Sequence, residues 1–192
     1  MTHEKPWAKP HRALLEVLLA EWGGELRGGD QSPDSDFYFY PTYAFKLAGR
    51  ELELIVSDNP DTNFSLMEGW DGAEYLRVWV AGATGHSLRI RHEGISDRVK
   101  RALRLVFEVQ TGDPHFDARY WLHAEVVGEE ELCRRREFQA AVRALEPFER
   151  IAIKKIGVLA ARRITAEVDL DVEPVVRFVN ATIDLARLLD AG

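Results

Sequence analysis

At 192 residues, with 46% hydrophobic and 30% charged residues, the chain has the length and apolar content of a single domain (1–192). A domain of that size buries roughly 70% of its unfolded surface and needs no metal or cofactor to fold. Its net charge of −7 argues against nucleic acid or an anionic membrane as a partner, and its one cysteine, Cys133, excludes an internal disulfide, a zinc knuckle or a CxxC redox pair and fits a reducing cytoplasm.

The charge is unevenly spread. Residues 1–88 carry 7 basic and 14 acidic groups, residues 89–163 carry 16 and 12, and residues 164–192 carry 2 and 6. If these segments fold over one another, the imbalance partly cancels.

From His11 to about Trp22, Leu14, Leu15, Leu18 and Trp22 recur at helical spacing, and Gly23 and Gly24 follow as a stop. Glu16 and Glu21 interrupt the leucines, and no run reaches the ~20 apolar residues that span a bilayer, so neither a secretion signal nor a membrane span is expected. The polar stretch 28–36 reads as a mobile loop.

The period then changes to two. Tyr43, Phe45 and Leu47 alternate with Ala44 and Lys46, and Gly49-Arg50 turns into Leu52, Leu54 and Val56 alternating with Glu51 and Glu53. After a looser stretch to Gly72, Leu76, Val78 and Val80 oppose Tyr75, Arg77 and Trp79. Gly82-Ala83-Thr84-Gly85 then reads as a turn into Leu88 and Ile90, opposed to Arg89 and Arg91. Register conserves a buried face, so this predicts a hairpin pairing Val80 with Leu88 and Val78 with Ile90, with Trp79 beside Arg89 and Arg77 beside Arg91.

Further elements follow: a helix over 95–105 with Arg98, Arg101 and Arg104 outward, an extended piece over 107–110, and a strand from Phe116 to Val127. A helix over 129–145 is ended by Pro147, strands span 150–154 and 158–165, and a closing helix covers about 173–189. The fold class is therefore α+β, with a mostly antiparallel sheet and helices packed on one side, in the order α-β-β-β-β-α-β-α-β-β-α.

Thr111-Gly112-Asp113-Pro114-His115-Phe116-Asp117, followed by the alternating strand and the helix from Glu129, resembles the tGDxxFDxxF core of a bacterial family of uncharacterised proteins. The glycine pair after the first helix fits the same pattern. The resemblance implies an architecture and no activity. By its own chemistry the segment is a turn: Asp113 accepts neighbouring backbone N–H groups, Phe116 enters the core, and Asp117 caps or pairs where the strand begins.

His115, Asp117, His123 and Glu125 are of ligand type, yet Asp117 and His123 lie about 20 Å apart along an extended strand. Only His123 with Glu125, helped by other strands, remains as a metal or acid/base candidate. His86, His92 and the pair Glu51 and Glu53 come with no positioned nucleophile. Cys133 is followed by three arginines, which favour a thiolate, but Leu132 and Phe138 predict a packed thiol.

The best binding candidate is the basic, aromatic face of Arg77, Trp79, Arg89 and Arg91, extended by Arg98 and Arg101, against the plain alternative of a cross-strand ladder. The expectation is a non-enzymatic binding or assembly module that contacts a protein partner or a second copy of itself. The alternative is an enzyme of unrecognised type with His123 and Glu125, or Cys133, in a pocket.

Overall fold

Strict alternation of apolar and polar residues sorts strand side chains onto two faces, and here one face is covered by every long helix. The computed structural model describes residues 8–27, 42–57, 74–94, 108–124, 128–165 and 171–190. In chain order these form α1 (Ala8–Trp22), β1 (Gly24–Arg27), β2 (Thr42–Leu47), β3 (Arg50–Ser57), β4 (Glu74–Ala81), β5 (Leu88–His92), α2 (Pro114–Asp117) and β6 (Tyr120–Ala124). They continue as α3 (Glu129–Arg134), α4 (Arg136–Ala144), β7 (Arg150–Lys154), β8 (Gly157–Ile164) and α5 (Val172–Asp190). The expected loop 28–36, the stretch 58–72, the helix 95–105 with Arg98 and Arg101, and Glu125 lie outside the described residues.

The strands form one antiparallel sheet in the order β1-β2-β3-β4-β8-β7-β5-β6, so the α+β class with an antiparallel sheet holds. Leu14 and Leu18 of α1, Phe138 and Val142 of α4, and Val175, Val179 and Ile183 of α5 share one buried cluster with Leu52, Leu54, Val78, Ile90, Ile151 and Val158 of the strands. None of the helices among the described residues is long and apolar enough to cross a membrane.

Gly23 ends α1 as expected. Its φ is +64° and its N–H donates to the Leu19 carbonyl at 3.1 Å, a left-handed cap that leads at once into β1, a strand the sequence pattern had not singled out. Ala48 and Gly49, both at positive φ, make the two-residue turn between β2 and β3.

Two expectations are corrected in this part of the chain. Phe116 does not begin a strand: Asp113 is the N-cap and Pro114 the first residue of α2, and β6 starts only at Tyr120. Asp-Pro is as much a helix start as a turn. Residues 108–110, within the expected extended piece, lie beside β6, where the Val109 N–H donates to the Leu122 carbonyl (3.1 Å). The helix over 129–145 breaks at Arg135, whose backbone is extended, while the buried Gln139 amide donates to the Cys133 carbonyl (3.0 Å) that the break exposes.

The largest correction concerns β4 and β5. They do not form a hairpin, because β8 and β7 lie between them. Residues 82–87 do not turn back on β4 but cross the tip of the β7–β8 hairpin, held to it by hydrogen bonds. The Gly82 N–H donates to Ile156 O (3.0 Å), the Thr84 N–H to Lys155 O (3.2 Å) and the Thr84 hydroxyl to Lys154 O (2.9 Å). Glu129 pins the far end, accepting from the Ser87 N–H (3.0 Å) with His86 Nδ1 at 2.8 Å. Six residues reach about 20 Å, enough to cross the roughly 14 Å of three strand spacings.

Candidate functional site

The ladders set directly opposed residues on the same side, and the uncovered face can be followed row by row. One row runs Glu25, Ala44, Glu53, Trp79, Leu159, Ala152, Arg89 and His123; the next runs Thr42, Ile55, Arg77, Ala161, Arg150, Arg91 and Trp121. Val78 and Ile90 do fall in one row, as do Val80 and Leu88, but with two strands between them.

The four expected binding residues are therefore split. Leu159 and Ala152 separate Trp79 from Arg89, and Ala161 and Arg150 separate Arg77 from Arg91. Arg77 is only 8% exposed and Leu159 only 2%, so the middle of this face offers little to a ligand. What lies open are its two flanks, each carrying a cleft.

The basic cleft, about 300 Å³, is lined by Arg89, Ile90, Arg91, Trp121, His123 and Arg150. Arg89 and Arg91 stand two apart on β5, which puts both on one face, and Arg150 comes from β7 directly opposite Arg91. Trp121 of β6 lies opposite Arg91, with the guanidinium carbon 4.4 Å from its ring centre, a cation–π contact. The His123 imidazole stacks parallel to the same indole, 5.4 Å away with 4° between planes.

Two features of this cleft are costly. Partial burial holds the Arg150 guanidinium below the usual arginine range. The Trp121 indole nitrogen is buried and has no hydrogen-bond partner among the described residues; an unanswered buried donor costs about 1–3 kcal/mol. Arg150 and Trp121 were missed by the sequence reading. Alternation alone placed Trp121 on a face with His123, but the pairing of β5 with β6 and β7 that brings them to Arg91 is a long-range event.

The second cleft, about 340 Å³, lies over β1 to β4 and is lined by Glu25, Lys46, Glu51 and Glu53 with Trp79, Phe45 and small residues. Gly157 makes room for Trp79: a Cβ there would lie 2.6 Å from its Cζ2 atom and 2.4 Å from the Val80 carbonyl oxygen.

The remaining candidates are dispersed. Asp113 Oδ1 accepts from the His115 and Phe116 N–H groups (2.9 and 3.2 Å), and its Oδ2 from Arg143 (2.6 Å), so this guanidinium holds its carboxyl below the ordinary 3.8. Asp117 is buried and points back upstream: Oδ1 accepts the Thr111 N–H and hydroxyl (2.9 and 2.8 Å), and Oδ2 the Gly112 N–H (3.2 Å). Phe116 is fully buried. These contacts close the Thr111–Asp117 segment on itself, and Gly112, at φ +84°, supplies the left-handed residue the turn needs.

His115 is exposed on α2, while His123 is in the basic cleft. No group of three or more metal-ligating side chains occurs among the described residues. His92 stacks on Phe148 and lies 3.4 Å from Glu146. Cys133 is fully buried in the core, and burial and the nearby Glu129 push its thiol up to about 12, so it is protonated at neutral pH.

No family model and no curated protein matches the chain.

Proposed function

We propose that the protein is a non-enzymatic, cytoplasmic binding or assembly module that grips an acidic segment of a protein partner in the cleft of Arg89, Arg91 and Arg150. The single observation that carries this reading is the meeting of three guanidinium groups with the Trp121 indole in one open cleft. Guanidinium forks take carboxylates bidentately, and an indole wall gives the partner's apolar atoms a surface to cover. The acidic neighbour cleft turns the reading away from nucleic acid, whose phosphates would meet repulsion beyond the basic flank.

The test is fluorescence anisotropy with a labelled Glu-rich peptide against its Gln-rich counterpart. The acidic peptide should bind and the Gln peptide should not. Arg91→Gln should weaken binding about tenfold, and Glu53→Gln, in the other cleft, should leave it unchanged. Equal affinity for the two peptides, or equal loss from the two substitutions, removes the assignment.

A further inference from the structure

Of His86, His92, His115 and His123, only His86 is held against a buried carboxylate. It sits on the segment that crosses the tip of the β7–β8 hairpin. Its backbone N–H donates to the Thr84 hydroxyl oxygen (3.1 Å), and that hydroxyl is itself fixed on Lys154 O (2.9 Å). Its ring is fixed at Nδ1, 2.8 Å from Oε2 of Glu129. The Glu129 side chain is only 4% exposed, and its Oε1 accepts the Ser87 N–H (3.0 Å). An ionised carboxylate only accepts, so in the neutral ring the proton is on Nδ1 and Nε2 carries the lone pair. That Nε2 has no hydrogen-bond partner among the described residues and is not a buried atom; the side chain is 27% exposed.

A histidine becomes a covalent nucleophile when one ring nitrogen is free and the other is backed by a group that answers the positive charge formed on attack. His86 meets both conditions, and its pinned backbone and Nδ1 leave little motion to be lost. The other three are placed differently. His115 stands exposed on α2, and His123 lies flat against Trp121. Nε2 of His92 is 3.4 Å from Glu146, a carboxylate that Tyr120 and Arg119 also engage. We propose that His86 is a phosphoryl-accepting residue, modified at Nε2 by a donor of the acyl phosphate class, with Glu129 as its positioning residue. The Nε2 lone pair forms the P–N bond as the P–O bond to the acyl group breaks, and the carboxylate leaves with that electron pair. The ring ends as an imidazolium, its Nδ1 proton kept against Glu129. The modification goes beyond partner binding: it sets a phosphoryl group on the segment that joins β4 to β5.

The test is timed labelling of the whole protein with acetyl phosphate at neutral pH, followed by peptide mapping under alkaline conditions, in which phosphoimidazoles survive. His86 should label about tenfold faster than the exposed His115. Glu129→Gln keeps an acceptor for Nδ1 and removes the charge, so it should erase that advantage and leave His115 unchanged. Since Glu129 is buried and its replacement can disturb folding, the parent protein in urea supplies a second measurement: unfolded, His86 and His115 should label at one rate. Equal rates in the folded parent overturn the proposal, as does an undiminished His86 rate in folded Glu129→Gln. An advantage at His86 that persists in urea would belong to local sequence and not to the pairing with Glu129, and overturns it as well. None of these outcomes depends on whether the acidic peptide binds the basic cleft.

Discussion

Two clefts of similar size and opposite sign occupy the flanks of one sheet face. Over β1 to β4, Glu25, Glu51 and Glu53 gather near Trp79; over β5 to β7, Arg89, Arg91 and Arg150 gather near Trp121. Each sets a tryptophan beside charges of one predominant sign, with Lys46 among the glutamates of the first. The cause is strand order. Because β1 to β4 occupy one half of the sheet and β5 to β8 the other, Glu25, Glu51 and Glu53 stand on one flank of the face and Arg89, Arg91 and Arg150 on the other. What a ligand meets is this local field, of either sign, and the overall charge of −7 describes neither flank.

The comparison can be broken from beneath. Phe116 packs next to β6 on the basic half of the sheet, its ring centre 4.6 Å from that of Tyr120 at the start of β6 and 5.1 Å from the Arg143 guanidinium. Phe116→Ala should lower the unfolding free energy in urea by about 3–5 kcal/mol. Hydrogen exchange should quicken in β6 more than in β2 and β3. A loss under about 1 kcal/mol would mean that the turn is not the anchor of that half.

The acidic side is broken at its own floor. Gly157→Ala places a methyl group 2.4 Å from the Val80 carbonyl oxygen, which cannot yield, and against Trp79, which must. About 1–3 kcal/mol should be lost, with a red shift of tryptophan emission that a Trp79→Phe background abolishes. An unchanged spectrum would show that Trp79 does not rest on this glycine.

The smallest effect should appear in acid. The Asp113 carboxyl is held below its ordinary 3.8 chiefly by Arg143, so its contribution to stability is fully present above that value and is lost as pH falls through the lower folded value. Urea midpoints followed from pH 5 down to pH 2 should decline less steeply in Asp113→Asn than in the parent. Parallel curves would remove Arg143 as the partner that matters.

Composition and period carried much of the fold. Alternation at 43–47, 52–56, 76–80 and 88–90 identified four strands and their buried sides, and the Gly23 stop, the long final helix and the antiparallel α+β class followed from local rules. The miss at Asp113-Pro114 was also local, since the same two residues open a turn or a helix and only the hydrogen bonds distinguish them.

The site was less legible. The alternation that marked Arg77, Trp79, Arg89 and Arg91 as one face was correct about the face and wrong about the neighbours. Val80 and Leu88 share a row whether two strands or none lie between them, because a ladder keeps its parity across any number of inserted strands. Apolar pattern therefore determines which side a residue occupies. Which strands stand next to each other is decided by long-range pairing, here by the β7–β8 hairpin entering between β4 and β5 and bringing Arg150, with Trp121 from the far side, to Arg91.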